Sequence, residues 1–218
     1  MNSSKKLIIL TVIILLSIAI LGHAEDEEKW RNFEVAMDAG LTLPMGELSD
    51  WNDSLGAKVG YNIGTFGGYY VTNSMCVGIY FDYSRMKMEE PPSEGTWDRK
   101  FQMYNFGAYV KYAIVGESNF EPYVKLTCGA VWTKFPTWVT EDLNRLREQS
   151  YDPALSLGGY LGLMYYTSDY GAIFLEAGYR NDFTDGTEAD YRGFISTINE
   201  NLNYVEIRGG VTAFFGSE

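Results

Sequence analysis

Histidine is almost missing from this sequence, because it occurs once, as His23. The chain after His23 contains no histidine, so it cannot form a serine–histidine or aspartate–histidine catalytic pair. Metal sites with histidine ligands are excluded for the same reason. Serine with lysine, or paired carboxylates, remain formally possible, but no spacing in the chain singles out such a pair. The sequence therefore predicts no enzymatic activity, no cofactor and no metal ligand.

Basic residues are also few. The chain has 17 lysines and arginines against 29 aspartates and glutamates, which gives a formal net charge of −12. A balance of this sign argues against nucleic acid as a partner.

The N-terminus has the order of a secretory signal. Two lysines precede an apolar run from Leu7 to Leu21, and Gly22-His23-Ala24 supplies small residues for cleavage. The run is shorter than the roughly 20 residues that a membrane-spanning helix needs. Cleavage after Ala24 would leave 15 basic and 29 acidic residues, a net charge of −14. We predict three segments: a signal peptide at residues 1–24, a short periplasmic leader at 25–32, and the folded domain at 33–218.

The last stretch, from Asn203 to Phe215, alternates with a period of two, which is the period of a β-strand. It is longer than the five or six residues usual for a soluble strand and long enough to cross a bilayer at a tilt. One face carries an acid and a base, Glu206 and Arg208. The other face is wholly apolar, as on the outside of a membrane barrel: Val205, Ile207, Gly209, Val211, Ala213 and Phe215.

Seven earlier segments repeat this alternation: Phe33 to Leu43, Gly56 to Val71, Met75 to Arg85, Phe101 to Ala113, Pro122 to Thr133, Ala154 to Tyr166, and Ala172 to Asp182. In the second segment Gly64, Gly67 and Gly68 disturb the alternation, so we predict a β-bulge there. Cys76 and Cys128 fall on opposite strand faces, and we expect no disulfide between them. The pattern predicts an all-β fold, an eight-stranded antiparallel up-and-down transmembrane β-barrel.

The connections alternate in length. Three are tight turns, near residues 72–74, 116–121 and 168–170, and four are long loops, at 44–55, 88–100, 135–153 and 184–202. Short turns on one side and long loops on the other are typical of bacterial outer-membrane barrels, with the turns in the periplasm. We therefore expect a cell outer membrane location, with both termini in the periplasm.

Outward aromatic residues are predicted to form two belts, as at the two interfaces of a bilayer. The belt near the long loops contains Tyr61, Tyr83, Tyr104, Trp132 and Tyr179. The belt near the short turns contains Phe33, Tyr112, Tyr165 and Phe215.

Charged side chains occupy the inward positions. Eight strands enclose an interior only just wide enough for side chains to fill, so we predict a structural polar network that plugs the lumen. For the last two strands we predict a register that places Arg180 opposite Glu206 and Glu176 within one pair of Arg208, with Asp38 closing the cluster from the first strand. The predicted members are Glu34, Asp38, Lys58, Asp82, Lys111, Lys125, Glu176, Arg180, Glu206 and Arg208, with Tyr80, Tyr109 and Tyr160 among them.

Two long loops have features of their own. In the third, residues Thr140 to Arg147 are predicted to form a short helix with Thr140 as its cap. The fourth gathers four acids between Asp182 and Asp190. Oxygen-rich loops bind calcium or bridge to lipopolysaccharide phosphates through divalent ions. This spacing misses the standard calcium-loop pattern, and we expect a solvated loop.

The chain resembles the small eight-stranded outer-membrane barrels of the OmpA and OmpX type. The similarity covers about residues 31–215 and depends on the opening strand Phe33 to Leu43, the loop start Pro44-Met-Gly-Glu-Leu-Ser49, and a closing strand that ends in Phe215. The resemblance implies contacts with outer-membrane lipid and lipopolysaccharide. It also implies a last strand similar to the signal that the barrel assembly machinery reads. We expect a monomer.

Three functions remain open. The leading hypothesis is a structural or surface-interaction barrel whose long loops present contacts outside the cell. A soluble periplasmic ligand-binding barrel of the lipocalin type would instead turn its apolar face inward around a ligand. The sorted loops and the two aromatic belts have no role in that arrangement. A small pore is the third hypothesis.

Overall fold

The structure is a computed structural model that describes residues 32–49, 56–88, 100–115, 118–139, 145–191 and 194–216. The predicted signal peptide and most of the predicted leader lie outside these ranges. Among the residues described, no helix is long and apolar enough to cross a membrane.

Almost all of the described chain is in antiparallel strands. A short 3-10 helix, Gly46–Leu48, follows the first strand. The strands are β1 (Phe33–Met45), β2 (Gly60–Tyr70), β3 (Met75–Lys87), β4 (Lys100–Ala113), β5 (Phe120–Val139), β6 (Arg145–Ser150), β7 (Ala154–Ser168), β8 (Gly171–Phe183), β9 (Glu188–Tyr191), β10 (Phe194–Thr197) and β11 (Leu202–Phe215).

Eight of these strands close into a barrel in the order β1, β2, β3, β4, β5, β7, β8, β11. Every neighbouring pair is antiparallel, and β11 closes the ring by pairing with β1 from Phe215 opposite Phe33 to Asn203 opposite Met45. Closure leaves no unpaired edge in the barrel wall, which is what a strand protein needs in order to satisfy its backbone inside a bilayer. The predicted fold class, an eight-stranded up-and-down transmembrane β-barrel, is confirmed.

The third long loop does not form the predicted helix. Arg145 to Ser150 is strand β6, which pairs with the far end of β5 from Lys134 opposite Ser150 to Val139 opposite Arg145. The prediction is therefore wrong for residues 145–147, and residues 140–144 lie outside the described part of the chain. The 20-residue strand β5 offers a ready pairing partner, and tertiary pairing overrides a weak local helix preference.

Strand β2 corrects two predictions. It begins at Gly60 rather than Gly56 and pairs with β1 and β3 without a register shift, so the predicted bulge is absent from it. Burial still alternates, but one inward position carries Phe66 and others carry glycine. An apolar residue on the inward face is what made the alternation look disturbed. The register shift described in the barrel lies instead in β7, between Tyr166 and Ser168.

The register between β8 and β11 differs from the prediction by two residues. Arg180 lies opposite Tyr204, Glu206 lies opposite Gly178, and Arg208 lies directly opposite Glu176. Because side chains alternate with a period of two, a shift of two residues changes no side chain's face. The predicted inward and outward faces of these strands therefore survive the correction.

The outward face is apolar and exposed. Its aliphatic side chains include Leu161, which is 69% exposed, and Met37, which is 66% exposed. Aromatic rings pair around both ends of this face. Tyr83 contacts Tyr61 and Tyr104 at centroid distances of 6.4 and 5.1 Å near the long loops, and Phe120 contacts Tyr165 at 4.8 Å near the short turns. The two predicted belts are thus both present on the exposed surface.

The interior has apolar layers near both ends. Near the long loops we define the upper cap as the buried cluster that includes Leu48, Met86, Phe101, Phe135, Tyr151 and Ile198. Within it Phe135 stacks on Phe101 and on Tyr151, each at 4.6 Å between ring centroids. At the short-turn end Phe214 contacts Tyr70 and Tyr166, at 6.4 and 5.5 Å. The charged interior residues lie between these layers.

Candidate functional site

The polar barrel interior is the candidate site. Nine of the ten predicted network residues are buried in it: Glu34, Asp38, Asp82, Lys111, Lys125, Glu176, Arg180, Glu206 and Arg208. These side chains come from six of the eight barrel strands, so the network reaches across the lumen rather than along one wall.

Lys58 is the exception, and its assignment to the interior is wrong. It precedes β2, where the regular ladder has not yet begun, and its side chain is exposed. Its backbone amide donates to the carbonyl of Lys87 at 2.7 Å. The predicted strand began at Gly56, four residues before the observed one. The inward face predicted for Lys58 therefore has no strand backbone to define it.

Asp82 is the centre of the largest cluster. Its two carboxylate oxygens accept hydrogen bonds of 3.0 Å from Nη1 and Nη2 of Arg208. The same carboxylate accepts a 2.7 Å bond from Nη2 of Arg180. The forked guanidinium of Arg208 thus meets the carboxylate with two parallel bonds, which is the strongest geometry for such a pair.

Glu206 and Tyr160 complete this cluster. Glu206 Oε2 accepts from Arg208 Nη2 at 2.6 Å and from the Tyr160 hydroxyl at 2.5 Å. The Tyr160 hydroxyl itself accepts from Arg180 Nε at 2.9 Å. Asp38 stands at the edge, with its carboxylate 3.9 Å from Arg208 Nη1 and no direct hydrogen bond among the residues described. The predicted closure of the cluster by Asp38 is therefore an ion pair without a hydrogen bond.

Glu34 organises a second cluster near the short turns. Its carboxylate accepts from Lys111, from the Tyr70 hydroxyl at 2.7 Å and from the Tyr109 hydroxyl at 2.8 Å. The Cys76 thiol adds a weaker bond at 3.4 Å. Cys76 is thus inside the barrel.

Glu176 organises a third cluster between the other two. Its carboxylate accepts from Lys125 Nζ at 2.6 Å and from the Tyr123 hydroxyl at 2.9 Å. Although Glu176 lies opposite Arg208 in the ladder, its hydrogen bonds go to Lys125 and Tyr123. The ammonium of Lys125 also lies 4.6 Å from the ring centroid of Phe66, within reach of a cation–π contact.

Inward aromatic rings lie opposite inward glycines on the neighbouring strand. The pairs are Tyr80 with Gly107, Tyr109 with Gly78, Tyr123 with Gly162, Tyr160 with Gly178, and Phe174 with Gly210. Each glycine leaves room for a ring to lie across the lumen. This pairing is how eight strands accommodate so many large side chains without widening the barrel.

Several network members were not among the predicted residues. They are Tyr70, Cys76, Tyr123, Asp182 and Tyr204, all buried, and the Tyr204 hydroxyl donates to Asp182 at 2.9 Å. All five fall on the inward face by the same alternation that found the charged residues. Asp182 was omitted although it is charged and inward. The prediction named three inward tyrosines but not Tyr70, Tyr123 or Tyr204, whose hydroxyls donate to buried carboxylates.

Four carboxylates of the network are paired with basic side chains. The carboxylates of Glu34, Asp82, Glu176 and Glu206 are each held by a lysine or an arginine. In the described part of the chain no group of three or more histidine, cysteine or acidic residues is arranged to hold a metal ion. The arrangement can fill and stiffen a barrel.

Comparison with known proteins gives matches at the level of structure. No known protein family and no curated protein matches the sequence. The crystal structure of Neisserial surface protein A superposes with a TM-score of 0.54 at 20% identity, over 84% of this chain and 97% of that chain. Outer membrane protein AlkL, solved by solid-state NMR in lipid bilayers, matches with a TM-score of 0.52 at 13% identity, over 89% of this chain and 95% of that chain.

A third match is a major outer membrane protein from Thermus thermophilus. Its TM-score is 0.51 at 12% identity, over 84% of this chain and 99% of that chain. At these identities the similarity is one of fold. The chain has the fold of the small eight-stranded outer-membrane β-barrels, and the predicted resemblance is confirmed in that respect.

Proposed function

We propose that this protein is a structural and surface-interaction barrel of the outer membrane, closed to solutes and presenting its long loops outside the cell. The observation that carries the proposal is the set of charge clusters inside the barrel. Three hydrogen-bonded charge clusters, centred on Asp82, Glu176 and Glu34, occupy the lumen between the upper cap and the aromatic layer around Phe214.

Several features support the outer-membrane location. The apolar outward face, flanked by two aromatic belts, suits a lipid environment. The long loops all leave one end of the barrel, and the short turns and both ends of the barrel domain lie at the other, which we assign to the periplasm. The proposed partners are outer-membrane lipid and lipopolysaccharide, with the barrel assembly machinery acting during insertion. We propose a monomer, because the outward residues between the two aromatic belts are uncharged and nearly all apolar around the whole ring and can all face lipid.

The two alternatives fit the structure less well. A lipocalin-type barrel in water would expose the row of aliphatic side chains that includes Met37 and Leu161, and soluble monomers rarely expose so large an apolar surface. A pore needs a continuous aqueous path, whereas the buried guanidinium of Arg208 on β11 reaches across the lumen to Asp82 on β3. Catalysis is not part of the proposal, since four of the buried carboxylates are paired with lysine or arginine.

Two measurements test the proposal. Purified protein in a planar bilayer should show no steady, porin-sized conductance if these clusters plug the lumen as proposed. In cell fractionation the protein should be recovered in the outer-membrane fraction, and its gel mobility should change on boiling. Steady conductance would contradict the closed barrel, and recovery as a soluble periplasmic monomer would contradict the location.

A further inference from the structure

Charge on the outward faces of the eight barrel strands is confined to one place. Among the outward positions described on these strands, through Pro136 of β5, the charged residues are Arg85 and Lys87 on β3, Lys100 on β4 and Lys134 on β5. All four are basic, although the chain as a whole has a net charge of −12. The outward positions described on β1, β7, β8 and β11 carry no charged residue.

These residues are neighbours at the long-loop end of three consecutive strands. Lys87 and Lys100 face each other across the ladder, while Gln102 lies opposite Arg85 on one side and opposite Lys134 on the other. Lys58 joins them through its 2.7 Å backbone bond to Lys87. We call Lys58, Arg85, Lys87, Lys100 and Lys134 the cationic rim.

Glu148 is an acid that borders the rim. Its Oε2 lies 3.5 Å from Nε2 of Gln102. Lys134 Nζ lies 5.5 Å from the ring centroid of Tyr104, the belt residue beside it. Glu148 is thus an acidic neighbour of a rim made of five basic residues.

The height of the rim matches that of lipid headgroups. Arg85 is the next outward position beyond Tyr83 of the aromatic belt, and Lys134 is the next beyond Trp132. Two residues advance about 6 to 7 Å along a strand. Belt aromatics lie at the interface, so Arg85 and Lys134 stand just outside the hydrocarbon, in the headgroup layer of roughly 5 to 8 Å on each side. Lys87 and Lys100 lie one outward position farther from the belt.

We propose that the cationic rim binds the phosphate groups of a phosphorylated glycolipid of the lipid A type in the leaflet on the long-loop side. This inference rests on the proposed outer-membrane location, and it assigns the lipopolysaccharide contact to particular residues. Lysine and arginine bind phosphate through charge-assisted hydrogen bonds. A rim that spans three strands spaced about 4.8 Å apart is wide enough to engage more than one phosphate of a single headgroup.

The opposite wall provides a matched control. Asn181 is the next outward position beyond the belt residue Tyr179, and it faces Asn203 across the β8–β11 ladder as Lys87 faces Lys100. Changing Lys87→Gln with Lys100→Gln lowers the net charge by two. Changing Asn181→Asp with Asn203→Asp does the same on the other side of the barrel, one outward position nearer the aromatic belt.

The test is a titration of the refolded full chain in a zwitterionic detergent, followed by calorimetry. The probes are bisphosphorylated lipid A, monophosphorylated lipid A and the same acylated disaccharide without phosphate. Each variant is first checked for its folded gel mobility. Affinity for bisphosphorylated lipid A should fall roughly tenfold or more in the double lysine variant, because each basic residue near an anionic lipid surface contributes a several-fold gain. It should change less than about twofold in the double asparagine variant, because the β8–β11 seam lies on the opposite side of the ring from the β3–β4 seam.

Equal loss of affinity in both double variants, or none in the lysine variant, would overturn the assignment. Wild-type protein that binds the phosphate-free disaccharide as tightly as lipid A would overturn it as well. Displacement of lipid A by inorganic phosphate at constant ionic strength would assign the rim to free phosphate instead. Because the titration uses folded protein in detergent, its failure leaves the proposed location standing, whereas recovery of the chain as a soluble periplasmic protein overturns that location directly.

Discussion

Arg208 and Asp82 are joined by two hydrogen bonds of 3.0 Å, although 126 residues separate them in the chain. Arg208 is on β11 and Asp82 is on β3, with β1 and β2 between them in the wall. The pair therefore crosses the lumen. A bond of this kind can form only after the barrel has closed, so it reports on the finished fold rather than on any single hairpin.

The first prediction concerns the two acids near Arg208. Asp82→Ala should lower the free energy of unfolding by about 3–5 kcal/mol, because it leaves two buried arginines without their shared carboxylate. Asp38→Ala should cost less than half as much, since Asp38 accepts no direct hydrogen bond from the described residues and lies 3.9 Å from Arg208. Urea unfolding of the refolded protein in lipid measures both values. Equal losses would mean that the Asp82 bonds do not hold the cluster together.

The second prediction concerns the contact of Tyr160 with Gly178. A Cβ atom built at position 178 would lie 2.5 Å from Cγ of Tyr160 and 2.5 Å from the carbonyl oxygen of Gly159. Gly178→Ala should therefore lower the free energy of unfolding by about 1–3 kcal/mol, the usual cost of an overpacked interior.

Gly159→Ala is the matched control, because the nearest atom to a Cβ there is Leu126 Cδ2 at 3.6 Å. It should be neutral or stabilise by up to about 1 kcal/mol, since alanine restricts the unfolded chain more than glycine does. A Gly178→Ala variant as stable as Gly159→Ala would show that the Tyr160 ring does not occupy this position.

The sequence correctly predicted which face of a strand most side chains occupy, but it did not predict the register between β8 and β11. Both results have the same physical reason. Alternation with a period of two identifies the face of Asp82, Glu176 or Arg208 without any knowledge of the partner strand. A shift of two residues leaves every face unchanged, so the same pattern could not show that Arg208 lies opposite Glu176 or that it bonds to Asp82. Cross-lumen partners depend on tilt and stagger, which belong to the whole barrel.

Two further misses come from the ends of strands. Lys58 was placed inside because an alternating pattern does not mark where the hydrogen-bonded ladder begins. Residues Arg145–Ser150 were predicted to be part of a helix or loop, yet they pair with the extension of β5. That extension is a tertiary partner, and local propensity contains no information about it.

The third prediction tests the depth of the lipid-facing side. Leu175 and Phe183 lie on the same outward face of β8 and are both exposed, Leu175 near the middle of the strand and Phe183 at its end. Leu175→Arg should lower the free energy of unfolding by about 2–4 kcal/mol, and Phe183→Arg by about 0–1 kcal/mol, because the cost of a lipid-facing arginine falls toward the interface. Ile207→Arg on β11 should behave like Leu175→Arg. Equal tolerance at positions 175 and 183 would refute the assignment of this face to lipid.

The last prediction uses the two cysteines, which lie on opposite faces. Cys128 is exposed on the outward face of β5, whereas Cys76 is buried and donates to Glu34. Cys76→Ser keeps a donor for Glu34 and leaves Cys128 as the single site for a nitroxide spin label. In lipid vesicles the label should collide often with oxygen, which concentrates in the bilayer, and rarely with a water-soluble nickel chelate.

The control is a label at Asn199→Cys, an exposed loop residue, in a Cys76→Ser, Cys128→Ala background. This label should show the reverse order of collision rates. If the label at Cys128 collides more often with the nickel chelate than with oxygen, the apolar face is in water and the chain is not a transmembrane barrel.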